Sequence, residues 1–352
     1  MLAVKDRQGL VSCVGEVFLE PATVSVRRRS FIRIAIGTLA GAAIPARAQQ
    51  SRLRRVAILM NLAQDDPQSK AQISAFVQAL QGAGWEVGRN LQIDYRWTEG
   101  DASRIRKFGA ELLAATPDVI LTAGASHVGP LEQMTSAVPI VFVQVTDPVG
   151  GGLIESLAHP GVNSTGFTVF EYDISAKWLE LLKQIAPRMN RIGVLRDPNN
   201  PSGTGLFGGI QAVASTFNVE ATPIGLRDAK QIENGVASFA APNSGLIVTP
   251  SSLALVFREE IVRLAAQHRL PTVYPFGYFV TSGGLVSYGP DVVDQFRRAA
   301  AYVDRILRGE RAAELPVQRS TKLELLINLR TAKTLGVAIP DNLVVRADSV
   351  IL

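Results

Sequence analysis

The residues of this 352-residue chain with chemistry to offer are mostly small and uncharged, and they stand where apolar runs end. Ser126, Ser251 and Ser252, with the amides around them, could hold a carboxylate, because hydroxyls and helix-start N–H groups bind anions without titrating. The same serines also read as ordinary helix N-caps. Asp147 could pair with an ammonium group, or could simply form the turn before Pro148. Tyr274, Phe276 and Phe279 present flat faces for stacking on a ligand or for packing in a core, and Tyr288 and Phe170 offer the same choice. Asn61, Ala125, Thr146 and Asn200 complete the candidate set, each just past an apolar run.

Catalytic apparatus is not visible in the pattern. His127, His159 and His268 lack metal-ligand spacing, and the only cysteine, Cys13, stands far from them near the start of the chain. His127 falls in a loop next to the candidate set and is a weaker candidate for contact. Neither a Gly-x-Ser-x-Gly elbow nor a Walker A sequence occurs. Gly82-x-Gly84 with Gly88 has a dinucleotide-loop look, but it follows a helix where that fingerprint demands a strand, so it reads as a helix stop. The pattern predicts no cofactor, no metal and no enzyme.

What positions the candidates is an alternation of short β-branched runs with helical patterns, the signature of βαβ units and a parallel sheet. In the first half, strands are expected at Arg55–Met60, Leu91–Arg96, Val119–Thr122 and Ile140–Val145, with helices at Lys70–Ala83 and Ala102–Ala114. The second half repeats the order. Strands are expected at Arg191–Leu195, Val219–Ile224, Gly245–Thr249 and Thr272–Tyr274, with Gly208–Thr216 and Arg258–His268 helical. DVILTAGAS in one half answers GLIVTPSS in the other. The expectation is an α/β chain of two doubly wound, Rossmann-like lobes joined by several crossings, near Gly166, Pro290 and Ser320. Beyond the repeat, Leu285–Tyr288 reads as a strand, Val292–Leu307 and Leu323–Leu335 as helices, and Leu343–Arg346 as a closing strand. In doubly wound sheets ligands bind outside the carboxyl ends of the strands. That rule selects Asn61–Asp66, Ala123–Ser126, Thr146–Asp147, Asp197–Ser202, Pro250–Ser252 and Pro275–Tyr278, all facing one cleft.

The first fifty residues follow another logic. Arg27-Arg28-Arg29-Ser30-Phe31-Ile32-Arg33 precedes an uncharged apolar run, Ile34–Ile44, too short to span a membrane, and Ala46-Arg47-Ala48 offers a small-x-small cleavage pattern. An export signal cleaved near Ala48 is expected, with Arg28-Arg29-Ser30-Phe31-Ile32 resembling the twin-arginine motif. The first 48 residues hold seven Lys or Arg and three acids, so they carry four of the five net positive charges. The remainder is nearly neutral, which argues against nucleic acid as a partner. At 47% hydrophobic and 19% charged residues, the whole chain has ample material for packed cores. The expected divisions are a leader over 1–48, a first lobe over 49–166 plus about 290–320, and a second over 167–289 plus about 321–352.

Several segments resemble one family specifically: Phe76-Val77-Gln78-Ala79-Leu80 with Gly84-Trp85, Asn90-Leu91 and Tyr95-Arg96, Val145-Thr146-Asp147-Pro148-Val149-Gly150, His159-Pro160-Gly161, Gly166-Phe167-Thr168 and Ala332-Lys333-Thr334-Leu335-Gly336. In order and spacing they are similar to the ABC-transporter substrate-binding family that includes tryptophan- and tyrosine-binding members, over roughly residues 53–352. The resemblance implies a type I periplasmic binding protein fold, with two α/β lobes, three hinge crossings and a small organic ligand closed in the cleft. The export signal, with no cysteine after the apolar run to carry a lipid, points to a free periplasmic protein with no stable membrane insertion after signal cleavage, and the two-lobed reading adds transient contact with an ABC permease. Two other readings compete: an exported cofactor-dependent enzyme, and a ligand-sensor core without a transport role.

Overall fold

The computed structural model describes residues 53–352; the expected export signal and its cleavage point lie outside them. From the start, strand and helix alternate: β1 (Arg54–Met60), α1 (Pro67–Gly82), β2 (Leu91–Trp97), α2 (Ala102–Ala114), β3 (Val119–Ala123), α3 (Ala125–Met134), β4 (Ile140–Val145) and β5 (Ser164–Thr168). A second series follows with α4 (Ile174–Ile185), β6 (Arg191–Arg196), α5 (Pro201–Ala214), β7 (Glu220–Gly225), α6 (Ala229–Phe239) and β8 (Ser244–Val248). It closes with α7 (Ser252–Val256), α8 (Arg258–Gln267), β9 (Thr272–Tyr274), α9 (Gly277–Thr281) and β10 (Val286–Gly289). The last stretch holds α10 (Val292–Leu307), β11 (Gln318–Arg319), β12 (Glu324–Asn328), α11 (Leu329–Leu335), α12 (Asp341–Arg346) and β13 (Ser349–Ile351).

Two sheets result, ordered β11-β5-β4-β3-β1-β2 and β13-β12-β10-β9-β8-β6-β7, with every pairing parallel except β10 with β12. The chain therefore passes between sheets after Thr168, after Gly289 and after Arg319. Parallel strands covered on both faces must be apolar on both. Along β1, Val56, Ile58 and Met60 pack with Phe76 and Leu80 of α1 and Phe296 and Val303 of α10, while Ala57 and Leu59 face Ile105 and Leu112 of α2. Helix α10 thus returns to the first sheet and lies beside α1, its apolar stripe at helical spacing held by an Asp291 cap.

The expected strands recur within one or two residues, and two terminal readings are corrected. Leu323–Leu335 is two elements. Leu325 and Ile327 are buried and pair antiparallel with β10, and Asn328 then caps α11 by accepting from the Thr331 N–H at 3.0 Å. Leu343–Arg346 is helical: Pro340 and Asp341 start a turn, only Leu343 is buried, and Val345 is left 84% exposed. The closing strand lies later, at β13, beside β12. Helix α3 was not foreseen because Pro130 lies inside it and no side chain caps it. Among the described residues no helix is long and apolar enough to cross a membrane.

Candidate functional site

Strand ends of both sheets meet in one space. From the first sheet come Asn61 after β1, Gly124 and Ala125 after β3, and Gln144 and Thr146 at the end of β4; from the second come Asn200 and Ser202 after β6, Pro250, Ser251, Ser252 and Leu255 after β8, and Phe276 after β9. Together they line a narrow cleft with about 20 Å³ of free volume, room for about one water molecule, so the lobes stand shut on each other and must part to admit a ligand. Larger hollows lie elsewhere, one lined by loop residues such as Pro187, Asn243 and Arg269 and one beside the chain crossings. In the interlobe space polar groups from separate strands converge, as in binding clefts generally.

The local backbone explains this convergence. Gly166 of β5 approaches β4 so closely that a Cβ there would stand 1.9 Å from the Phe142 carbonyl oxygen. Past that point the β4–β5 register shifts, and Gln144 adopts φ +58°, a left-handed conformation unfavourable for a residue with a side chain. Asp147 follows at φ +37°. Gly124, at φ +93°, leads α3, and a Cβ on it would stand 3.2 Å from Ser252 Oγ and 3.5 Å from Asn61 Nδ2. The two lobes are in contact here. Ser202 Oγ donates to the Thr146 carbonyl at 3.2 Å, and Arg258 of α8 pairs with Asp66 at the head of α1 at 2.6 Å, both side chains about one-tenth exposed. Leu62, just after β1, is buried in the second lobe's core.

Hydrogen-bond capacity in the space is unspent. Asn61 Nδ2 reaches Gln144 Oε1 at a long 3.4 Å, and Asn61 Oδ1, Gln144 Nε2 and Ser252 Oγ are buried without any partner among the described residues. Buried polar atoms are normally paired, and an unpaired one costs about 1–3 kcal/mol. Three such atoms, from residues of both lobes, are spare donors and acceptors in the lining of one cleft. None of the lining side chains is charged, and Phe276, 2% exposed, forms an apolar wall stacked on Tyr278 with ring centroids 5.3 Å apart.

Of the candidates, Asn61, Ala125, Thr146, Asn200, Ser251, Ser252 and Phe276 line this space, and Ser126, Asp147, Tyr274 and Tyr288 do not. Ser126 is the second residue of α3 and lies half-buried beside the lining. The Asp147 carboxylate turns back to accept from the Gly150 N–H at 2.8 Å, so it shapes a turn, and its charge helps burial raise the Tyr172 hydroxyl pKa. Tyr274 is fully buried, stacked on Phe279 at 5.0 Å, and desolvation pushes its hydroxyl well above the usual tyrosine range. Tyr288 flanks a separate hollow beside the crossings, with Phe170 and Ser320, and its carbonyl accepts from Trp178 Nε1 at 2.8 Å.

His127 leaves the cleft altogether. It stands on the buried face of α3, with Nε2 3.0 Å from Thr98 Oγ1 and Nδ1 3.1 Å from Thr122 Oγ1, and desolvation lowers its pKa to about 4. Gln144 and Leu255 were missed by the sequence reading; for Gln144 the one available signal is an amide inside the otherwise apolar IVFVQV. Ser251 spends its hydroxyl capping α7, accepting from the Ala254 N–H at 3.0 Å, and has no histidine beside it in the lining. Among the described residues no group of His, Cys, Asp and Glu could hold a metal. The arrangement suits capture of a compact ligand by neutral hydrogen bonds against an aromatic wall.

Residues 55–351 match the family model described as ABC transporter substrate binding protein. A tyrosine-binding protein of Clostridioides difficile is 25% identical over 260 residues, covering 74% of this chain and 75% of that protein. Among solved structures, a conserved domain protein of Vibrio cholerae superposes with a TM-score of 0.80 at 25% identity, covering 85% of this chain and all of the other. A Streptococcus pneumonia ABC domain in complex with L-Trp superposes with a TM-score of 0.78 at 21% identity, covering 85% and 99%.

Proposed function

This chain belongs to the ABC transporter substrate-binding protein family, a family of solute-binding proteins and not of enzymes, and from that premise we propose that it serves an ABC-type importer as the extracytoplasmic subunit that captures a small organic ligand between its lobes. The observation that carries this reading is the set of unpaired polar atoms, Asn61 Oδ1, Gln144 Nε2 and Ser252 Oγ, contributed by both lobes to one uncharged cleft. A ligand that satisfies them bridges the lobes only when they are closed, so binding shifts the population toward the closed form, and a permease reading both lobe surfaces senses the loaded state.

The favoured ligand is an amino acid or related aromatic compound without net charge. In the lining, neutral hydroxyls and amides replace charged partners, and Phe276 supplies a face against which a flat or apolar side chain rests. The tyrosine-binding relative supports the same class. Delivery outside the cytoplasm is assigned to the leader over 1–48, by the twin-arginine route and with cleavage near Ala48, leaving the lobes over 49–166 plus about 290–320 and 167–289 plus about 321–352. Asn61, Ala125, Thr146, Asn200, Ser251, Ser252 and Phe276, joined by Gln144 and Ser202, are the proposed contacts. Thermal-shift screening of the protein against amino acids, nucleosides and sugars tests the assignment. Stabilisation by one class, aromatic amino acids first, is expected; chemical turnover of a stabilising compound would overturn it.

A further inference from the structure

Gln295 lies outside the cleft and yet touches the parts of the chain that must act together when the lobes close. It stands in the second turn of α10, only 2% exposed. Its Oε1 accepts from the backbone N–H of Gln144 at 3.0 Å. Its Nε2 donates to the Thr168 carbonyl at 3.1 Å and to Ser320 Oγ at 2.8 Å, and the Ser320 hydroxyl donates to that same carbonyl at 3.1 Å.

Each partner has a meaning in the fold. Thr168 is the last residue of β5 before the chain first passes to the second sheet, and Ser320 follows β11 just before the last passage. Helix α10 begins directly after the passage back from β10. One side-chain amide therefore knots all three passages where they join the first lobe. The opposite end of the same amide holds Gln144, whose positive φ takes its N–H out of the β4–β5 ladder. A buried N–H released from a ladder needs another acceptor, and the Gln295 oxygen supplies it.

We propose that Gln295 is a positioning residue coupling the cleft to the hinge: its oxygen fixes the left-handed turn that aims the Gln144 side chain into the cleft, and its nitrogen ties that turn to the three passages. Movement of the passages and presentation of Gln144 are then linked, and by reciprocity a ligand that engages Gln144 favours the knotted, closed hinge. The inference rests on reading the cleft as the ligand site. A simple packing role for a buried glutamine would need neither end of the amide to be specific.

Two substitutions separate the ends. Gln295→Met removes both functions at similar length. Gln295→Glu keeps an acceptor for the Gln144 N–H and loses the donor to Thr168. Both are compared with the parent, free of ligand, by hydrogen exchange at the Gln144 amide and by the distance distribution between spin labels at Lys107→Cys and Glu259→Cys, both exposed and one in each lobe. The Met variant is expected to lose protection at Gln144 by about tenfold or more and to broaden the interlobe distances; the Glu variant is expected to broaden the distances while keeping that protection. With L-tyrosine and L-tryptophan as probes, the Met variant should bind about tenfold more weakly than the parent. If it fails to fold, Gln295→Asn, which shortens the fork while keeping the amide, is read by the same criteria. Unchanged protection at Gln144, or unchanged interlobe distances, in the folded variant overturns the proposal. If neither amino acid binds the parent, the ligand reading fails, while exchange and distance still decide the role of Gln295.

Discussion

His127 and Gln144 lie in the same lobe, both buried and both polar, in opposite environments. Both ring nitrogens of His127 meet threonine hydroxyls, at 3.0 and 3.1 Å, on the buried face of α3 and outside the cleft lining. Gln144 Nε2 and its neighbour Asn61 Oδ1 meet nothing among the described residues, and Gln144 holds a strained backbone besides. The first arrangement gives the fold a fully paired polar core and has no capacity left for a ligand. In the second, pairing within the protein is given up, as is typical where a site is organised for something else. Burial of a polar side chain thus says little by itself; unpaired atoms also occur away from the cleft, at Gln72 and Ser287 among others, and the cleft is marked by three of them coming from residues that line one space.

The sharpest way to break that distinction is to exchange the consequences. His127→Ala should lower the unfolding free energy by about 3 kcal/mol through a buried cavity and lost hydrogen bonds, measured by urea denaturation, while ligand affinity changes less than threefold. Acid should expose the same residue. With its pKa lowered from 6.5 to about 4, the folded protein resists a proton that the unfolded chain accepts, so the contribution is fully present above pH 6.5 and is lost as pH falls toward 4. The loss amounts to about 3 kcal/mol, and His127→Gln should remove this part of the pH dependence of unfolding.

Asn61→Ala and Gln144→Ala should behave in the opposite way. Each is expected to weaken ligand binding by roughly 10- to 100-fold, about 1.5–3 kcal/mol by titration calorimetry, with stability unchanged or slightly raised because an unpaired buried group is gone. A stability loss as large as that of His127→Ala would erase the contrast. The smallest effect is expected at the lobe-to-lobe ion pair. Replacing Arg258 by Met should raise the ligand dissociation rate by about 3- to 10-fold, read by stopped-flow fluorescence, because only the closed form makes the contact with Asp66.

Much of this division was legible in the sequence, for identifiable reasons. The largely apolar runs at β1, β3 and β4 read as strands covered on both faces, and α10 shows its stripe between Asp291 and Gly309 without interruption. Ser251, Ser252 and Asn200 were found because strand carboxyl ends in a doubly wound sheet nominate their own loops. Leu323–Leu335 misled because a short strand and a short helix share one apolar run, and which residues pair with β10 is decided across the sheet. Gln144 was hidden for a similar reason. Inside IVFVQV it reads as one more strand residue, and only the close approach of Gly166 and the resulting register shift turn it toward the cleft. Tyr274 and Phe276, two residues apart, offered the same aromatic signal, and tertiary packing gave one to the core beside Phe279 and the other to the cleft wall.

The most direct measurement is titration calorimetry of the protein and of its Asn61→Ala and His127→Ala variants with L-tyrosine and L-tryptophan. Capture in the interlobe cleft predicts one-to-one binding by the parent, at least a tenfold loss in Asn61→Ala and near-parental affinity in His127→Ala. Equal affinity in the parent and Asn61→Ala, or binding lost only with His127, would contradict it.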